Sequence, residues 1–178
     1  MKSVMISIQP KWVELIANGQ KTIEVRKTRP KLDTPFKCYI YCTFPKKPVY
    51  TLWLNRGKEN RFLADGKVIG HFVCDRITKL DFITLRGSIK SKDLIKNACL
   101  NIDEMKQYIG TKNGYAWHIT DLVIYDEPKE LGEFAQSCNY KGLCFSCKRA
   151  NFDNIGNIEC NNKLTRPPQS WCYVEEKE

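Results

Sequence analysis

Short runs in which apolar and polar residues alternate recur along most of the chain, and this pattern predicts a fold built mainly from β-strands. The predicted strands are residues 4–8, 21–26, 36–42, 67–73, 77–85, 114–119, 122–125 and 171–174. The fourth and fifth of these are equally consistent with one long strand. Residues 55–66 are polar and charged, which indicates a surface excursion between strands.

Three helices are predicted between these strands. The first begins at Pro10, whose missing N–H is not needed in the first turn of a helix, and it ends at Gly19. The second and third cover residues 91–98 and 101–108. The third opens with Asn101 as its cap and Glu104 three positions later, the spacing of a capping box. Together these elements predict an α+β fold, a small and partly closed β-barrel with helices packed outside it.

The length and composition predict one domain spanning residues 1–178, since domains commonly hold about 100–200 residues. No apolar run approaches the ~18–20 residues of a membrane-spanning helix, and the N-terminal residues lack the pattern of a secretory signal. We therefore expect a cytoplasmic protein without membrane contact. Because cytosolic thiols stay reduced, the nine cysteines are expected to bind metal or to be buried rather than to form disulfides.

Four of these cysteines follow the spacing C-x5-C-x2-C-x12-C in a segment, residues 135–163, where the apolar periodicity disappears. They are Cys138, Cys144, Cys147 and Cys160. A segment of about 30 residues without a core-forming pattern needs a staple in order to fold, and four thiolates around one Zn²⁺ provide it. We therefore predict a structural zinc knuckle inserted into the domain. Cys172 is the rival for the fourth position, and free thiols or a redox pair are the alternatives to zinc.

The net charge of +9 is concentrated near the N-terminus, where residues 1–50 hold ten Lys or Arg residues and three acidic residues. A localised basic surface attracts polyanions, of which RNA is the commonest. The charge therefore favours RNA or a nucleotide as the partner, although many basic proteins bind neither.

Residues 18–27 read N-G-Q-K-T-I-E-V-R-K and follow a strand, a proline and one helix. This segment resembles the G-x-K-x-x-E-x-R-K signature of the ASCH domain, a family in the PUA-like superfamily of RNA-associated β-barrels. Residues 114–125 and 166–174 are similar to the closing part of bacterial and phage-borne ASCH proteins. The resemblance covers residues 1–134 and 164–178, so that residues 135–163 look like an insertion.

The resemblance implies a barrel with a cleft beside the first helix, in which members bind RNA or a modified nucleotide. The signature residues of this chain are Lys21, Glu24 and Arg26, followed by Lys27. Ser170 and Trp171, in the second similar stretch, are expected to line the same cleft. Some relatives hydrolyse the amide of N4-acylated cytidines and others are ribonucleases, so that Lys21 and Glu24 would be catalytic if this chain is an enzyme. The amidohydrolases, however, have a threonine where this chain has Glu24.

The chemistry of the three signature residues leaves binding and catalysis open. Arg26 can present its planar fork to a phosphate or carboxylate, and Lys21 offers a point charge. If Glu24 lies within about 4–6 Å of Lys21, an ion pair is expected rather than an activated amine. If Glu24 instead activates a water, the two cations could stabilise the developing oxyanion. A salt-bridged polar face without function is the simplest alternative.

Two further expectations concern partners. Base stacking would come from exposed aromatic residues among Tyr39, Tyr41, Tyr50 and Trp53, although core packing is the commoner role of such residues. The zinc knuckle, in a third hypothesis, would be a docking element for a protein partner.

Overall fold

The computed structural model describes residues 2–45, 51–56, 60–81, 89–110, 113–137, 150–152, 158–160 and 162–176. The strands are β1 (Ser3–Ile8), β2 (Ile23–Arg26), β3 (Phe36–Cys42), β4 (Trp53–Arg56), β5 (Asn60–Leu63), β6 (Val68–Leu80), β7 (Gly114–Lys129), β8 (Phe134–Gln136), β9 (Ala150–Phe152), β10 (Ile158–Cys160) and β11 (Trp171–Glu176). The α-helices are α1 (Pro10–Ala17), α2 (Ile89–Asn97) and α3 (Ile102–Ile109), and a 3₁₀ turn covers Leu131–Glu133. The fold is therefore mostly sheet with few helices.

Seven strands form one mixed sheet in the order β2-β7-β6-β3-β1-β11-β8. β1 and β3 run parallel, because α1 and β2 lie between them in the sequence, and the other neighbouring pairs are antiparallel. β4 pairs with β5, and β9 pairs with β10, as separate two-stranded sheets.

The prediction of a β-barrel is wrong in one respect, because the sheet is not closed. Among the described residues β2 and β8 are its two edges, and no pairing joins them. Each edge is covered by a different segment instead. The Thr22 N–H, just before β2, donates to the Asn97 carbonyl at 2.9 Å, and on β8 the Phe134 carbonyl accepts from the Leu164 N–H at 2.8 Å. Since both edges have partners of their own, nothing requires them to pair with each other.

The predicted helices are confirmed, and the capping box at the start of α3 is present in both directions, from Asn101 and from Glu104. β6 is one long strand, which is one of the two forms that the pattern predicts for residues 67–85, whereas β7 is a single long strand where the alternation predicted two short ones. Their pairing shifts register at three places, between Val68 and Gly70, between His71 and Val73, and between Cys74 and Ile77, which interrupts the alternation. The predicted surface excursion at residues 55–66 instead contains most of the β4–β5 hairpin.

The hydrophobic core lies on both sides of the sheet. All six residues of β1 are buried, and helix α1 packs Val13 and Ile16 against one side. Helices α2 and α3 form a second core with Ile23 and Val25 of β2. The prediction that apolar segments bury their cysteines is confirmed for Cys38, Cys42 and Cys74, whereas Cys99 and Cys172 are half-buried. Burial raises the pKa of the Cys172 thiol to about 11.

Gly70 allows the two longest strands to approach closely. A Cβ atom at this position would lie 2.1 Å from the backbone oxygen of Val123 on β7. Such a contact is far inside van der Waals distance, so that only glycine fits without moving the strands apart.

The predicted zinc knuckle falls mostly outside the described residues. Cys138, Cys144 and Cys147 lie there, and Cys160 is described only as the backbone end of β10. No helix in the described part of the chain is long and apolar enough to cross a membrane.

Candidate functional site

The three signature residues lie together along β2, with Lys21 just before the strand and Arg26 at its end, and they are almost completely buried. The exposed fractions are 2 % for Lys21, 6 % for Glu24 and 7 % for Arg26. They are brought there by a tight turn after α1, in which Gly19 adopts a φ of 70° that favours glycine. The Lys21 N–H then donates to the Leu15 carbonyl at 2.9 Å, which fixes the turn to the helix.

Glu24 lies between the two cations. Its Oε1 is 3.2 Å from Arg26 Nη2, and its Oε2 is 3.4 Å from Lys21 Nζ. Each cation also donates to a backbone carbonyl at 2.6 Å, Lys21 to Ala98 and Arg26 to Ser7. The distance condition for an ion pair between Lys21 and Glu24 is therefore met.

Two polar atoms of this triad lack hydrogen-bond partners. Within the described part of the chain, Glu24 Oε2 accepts no hydrogen bond and Arg26 Nε donates none, although both atoms are buried. The contact from Lys21 to Oε2 has ion-pair distance without hydrogen-bond geometry. Buried polar groups are normally paired, because an unpaired one costs about 1–3 kcal/mol. The triad thus holds one acceptor and one donor without a hydrogen-bond partner among the described residues.

The triad lies in a cavity of about 820 Å³. This is within the range of about 300–1,000 Å³ that is common for small-molecule sites. Its walls combine polar and charged side chains with aromatic and prolyl ones, and the latter are Trp12, Phe44, Tyr108, Pro167 and Pro168. The exposed carboxylate of Glu104 also lies on the wall, where its role in the capping box of α3 occupies one oxygen.

Lysine ammonium groups lie over the rings of two aromatic residues that line the cavity. Lys11 Nζ is 4.5 Å from the centre of the Trp12 ring, and Lys21 Nζ is 5.1 Å from the same ring. Lys27 Nζ is 5.3 Å from the centre of the Tyr108 ring. Burial raises the pKa of the Tyr108 hydroxyl, while the positive charge of Arg26 opposes this shift. The cavity therefore combines flat apolar surfaces with positive charge around them.

The predicted residues Ser170 and Trp171 are not among those that line this cavity. The Ser170 carbonyl accepts a hydrogen bond from the Ser7 N–H at 2.9 Å. Trp171 donates from Nε1 to Thr28 at 2.9 Å and lies 6.1 Å from the Trp117 ring. Their neighbours Pro167, Pro168 and Gln169 line the cavity instead. A direct role of Ser170 and Trp171 in binding stays a prediction.

Of the aromatic residues predicted for stacking, the three that the structure describes do not line the cavity either. Tyr39 and Tyr41 are buried in the sheet, Trp53 is half exposed outside the cavity, and Tyr50 lies outside the described residues. The sequence analysis did not predict Phe44, on a loop, or Tyr108, on α3, both of which line the cavity of the triad. No local pattern marks either residue, because both reach the cavity through tertiary contacts.

His118 lies away from the cavity and is held as a neutral ring. Arg76 Nη2 is 3.1 Å from its Nδ1, and Thr78 Oγ1 is 3.0 Å from its Nε2. Since arginine only donates, Nδ1 accepts and the ring proton is on Nε2. Burial and, secondly, the charge of Arg76 lower the pKa of His118. In the described ranges no three His, Cys, Asp or Glu side chains cluster in a way that would hold a metal ion.

The part of the sequence that contains this triad matches the model of a known domain family. The ASCH domain model matches residues 6–80. The match includes α1, β2 and all three triad residues. The structural neighbours are also ASCH proteins, so the resemblance seen in the signature extends to the fold. No curated protein matches the chain.

The crystal structure of ASCH from Zymomonas mobilis aligns with a TM-score of 0.51 and 22 % sequence identity, over 72 % of this chain and 73 % of that chain. A tyrosine-to-phenylalanine variant of the same protein gives a TM-score of 0.51 and 23 % identity, over 74 % of this chain and 77 % of that chain. A serine-to-alanine variant gives 0.53 and 17 % identity, over 97 % and 88 %. At these identities the likeness shows an ASCH-like fold.

Proposed function

We propose that this protein binds RNA or a nucleotide by holding a nucleobase in the cavity around Lys21, Glu24 and Arg26. The observation that carries the proposal is the buried acceptor and donor pair, Glu24 Oε2 and Arg26 Nε, that lacks hydrogen-bond partners in the described part of the chain. A ligand that supplies one donor and one acceptor would satisfy both atoms, and the polar edges of nucleobases carry both kinds of group.

A base edge suits this floor better than a phosphate does. Both cations already share the Glu24 carboxylate and each donates to a backbone carbonyl. A phosphate placed there would also come close to the Glu24 carboxylate, and repulsion from this group would offset part of the attraction of the two cations. A neutral edge avoids this repulsion and still removes the cost of two unpaired buried atoms.

The surroundings of the cavity support the same ligand class. Trp12 and Tyr108 offer ring faces to a base, and Lys11 and Lys27 beside them are placed to neutralise phosphates. ASCH domains are commonly RNA-binding, which agrees with this assignment.

Binding can be tested with a charge-conserving substitution. Arg26→Lys keeps a cation but removes Nε, so we expect weaker binding of short RNA and of nucleotides, measured by calorimetry at fixed salt. Arg76→Lys is the matched control, because Arg76 is exposed and does not line the cavity. Unchanged affinity in Arg26→Lys, or an equal loss in Arg76→Lys, would contradict the proposal.

Hydrolysis in the same cavity is a second candidate, favoured by Glu24 Oε2, which accepts no hydrogen bond in the described part of the chain. A carboxylate oxygen with unused capacity to accept can take a proton from water, and Lys21 and Arg26 could stabilise the charge that develops on the attacked group. The substrates implied by the resemblance are N4-acylated cytidine and RNA. Release of cytidine from N4-acetylcytidine, or shortening of an RNA, should be lost in Glu24→Gln; absence of both activities in the unmodified protein leaves binding alone.

We also propose that Cys138, Cys144, Cys147 and Cys160 bind one structural zinc ion. The support is the spacing of the four cysteines in the sequence. A protein partner docking on this knuckle remains a hypothesis, and a pull-down that depends on the metal would test it. Metal analysis of the purified protein should find one zinc per chain.

A further inference from the structure

Phe44 is a large apolar side chain at the cavity that the core does not use. It is 70 % exposed, more than Trp53, Leu63, Tyr108 or Val123, which are the other exposed large hydrophobic residues of the described chain. Phe44 nevertheless lines the same cavity as the triad. Its ring therefore offers most of its surface to whatever occupies the cavity and its mouth.

The ring is held in place although it is exposed. A Cβ atom on Gly66 would lie 2.5 Å from Cζ of Phe44, so the ring packs directly on the bare backbone of this glycine. Gly66 has a φ of 76°, which also favours glycine at this turn. The backbone before Phe44 is fixed as well, because the Thr43 N–H donates to the Ile8 carbonyl at 2.9 Å. Because the ring is already held in one position, little side-chain entropy is lost when a flat ligand stacks on it.

We propose that Phe44 stacks the nucleotide next to the one whose base enters the cavity, so that the ligand is single-stranded RNA of two or more nucleotides. This inference rests on the proposed function. Trp12 and Tyr108 already provide ring faces for one base, and Phe44 adds a further face. Every base has a face that can stack on an aromatic ring, whatever its sequence.

The charges around the cavity select a nucleic acid over a peptide. Lys11 and Lys27 lie beside Trp12 and Tyr108, so that cations accompany the aromatic faces as a sugar-phosphate backbone requires. An acidic peptide would satisfy the lysines, but its carboxylates would not stack on Phe44 and would be repelled by Glu24 and Glu104. A base-paired duplex keeps its bases stacked on each other and cannot offer a face to the ring.

The test compares a nucleoside monophosphate with single strands of two, four and eight nucleotides of the same base, for each of the four bases, by calorimetry at one salt concentration. We expect the single strands to bind more tightly than the monophosphate. Loss of one stacked base corresponds to about a 5- to 150-fold loss of affinity. Phe44→Ala should show this loss for the single strands and change the affinity for the monophosphate by less than about twofold.

Control variants separate stacking from folding. Phe44→Leu keeps an apolar contact with Gly66 but removes the ring face, so it should behave like Phe44→Ala, whereas Phe44→Trp should restore binding. Trp53→Ala removes a half-exposed aromatic residue outside the cavity and should change nothing. Unfolding curves of all variants should coincide, because the Phe44 side chain is mostly in solvent.

Several results would overturn the inference. One is that the single strands bind no more tightly than the monophosphate while Arg26→Lys still weakens both, in which case the proposed function stands and the role of Phe44 falls. The inference would also be refuted if Phe44→Ala lost as much affinity for the monophosphate as for the single strands. Unchanged affinity for the single strands in Phe44→Leu, or equally tight binding of a duplex, would refute it as well. If no nucleotide binds, the proposed function and this inference fall together.

Discussion

Glu24→Gln should destabilise the protein strongly. The substitution keeps the size of the side chain but removes the negative charge that neutralises Lys21 and Arg26, which are 2 % and 7 % exposed. Removing one partner of a buried ion pair costs about 3–5 kcal/mol, because the other charge is left without compensation. Here two cations lose the same partner, so we expect the upper part of that range.

This loss is large compared with the stability of the whole protein. Small domains unfold with about 5–15 kcal/mol, and 1 kcal/mol corresponds to about 2–4 °C in Tm for a chain of 150–250 residues. Glu24→Gln should therefore lower the Tm by roughly 8–20 °C. Urea unfolding, followed by tryptophan fluorescence and by circular dichroism, gives the free energy of unfolding directly.

Two further variants make the reasoning refutable. Glu104→Gln is the same chemical change on the wall of the same cavity, but this side chain is exposed, so we expect less than about 0.5 kcal/mol. Lys21→Met should cost less in the Glu24→Gln background than alone, since the lysine then lacks its carboxylate partner. A loss below about 1 kcal/mol in Glu24→Gln, or strictly additive effects in the double variant, would show that the triad is not a coupled buried charge cluster.

Three other predictions concern the rest of the chain. Gly70→Ala should cost about 1–3 kcal/mol or more in urea unfolding, because the added Cβ collides with the facing carbonyl of β7, whereas Gly132→Ala, with nothing within 4 Å, should not. His118 has a lowered pKa in the folded state, so its contribution to stability is complete above the pKa of about 6.5 that it has in the unfolded chain. This contribution is lost as the pH falls below that value. Between pH 7.5 and pH 5 the Tm should therefore drop less in His118→Gln than in the unmodified protein. Cys144→Ser should release the zinc found by metal analysis, while Cys99→Ser, outside the four-cysteine set, should retain it; equal zinc content in both variants would exclude Cys144 as a ligand.

Local signals in the sequence were sufficient for the elements that build the site. Pro10 and Gly19 mark the ends of α1, and the alternation in β2 places Ile23 and Val25 in the core with Glu24 and Arg26 on the cavity side. These features depend on neighbouring residues only, through caps, turns and the two-residue period of a strand.

Other features depend on residues that are distant in the sequence. Phe44 and Tyr108 line the cavity because a loop and α3 pack there, so the residues next to them in the sequence do not indicate this role. The burial of Lys21 is also a tertiary property, since a lysine in a turn is usually exposed. The openness of the sheet follows from the hydrogen bonds that cover β2 and β8, and these partners cannot be read from strand patterns.

The hydrogen bond from Lys21 to the Ala98 carbonyl ties the cavity to the helices that precede β7. The same helical segment, residues 89–110, covers the edge of β2 through Asn97 and supplies Tyr108 to the cavity wall. Shortening this segment would therefore remove Tyr108 from the cavity lining and the Asn97 carbonyl from the edge of β2. It would also remove the Ala98 carbonyl, which accepts a hydrogen bond from the buried Lys21. We expect the helices to be inherited together with the triad, and amide exchange in α2, α3 and β2 to slow or quicken as one cooperative unit.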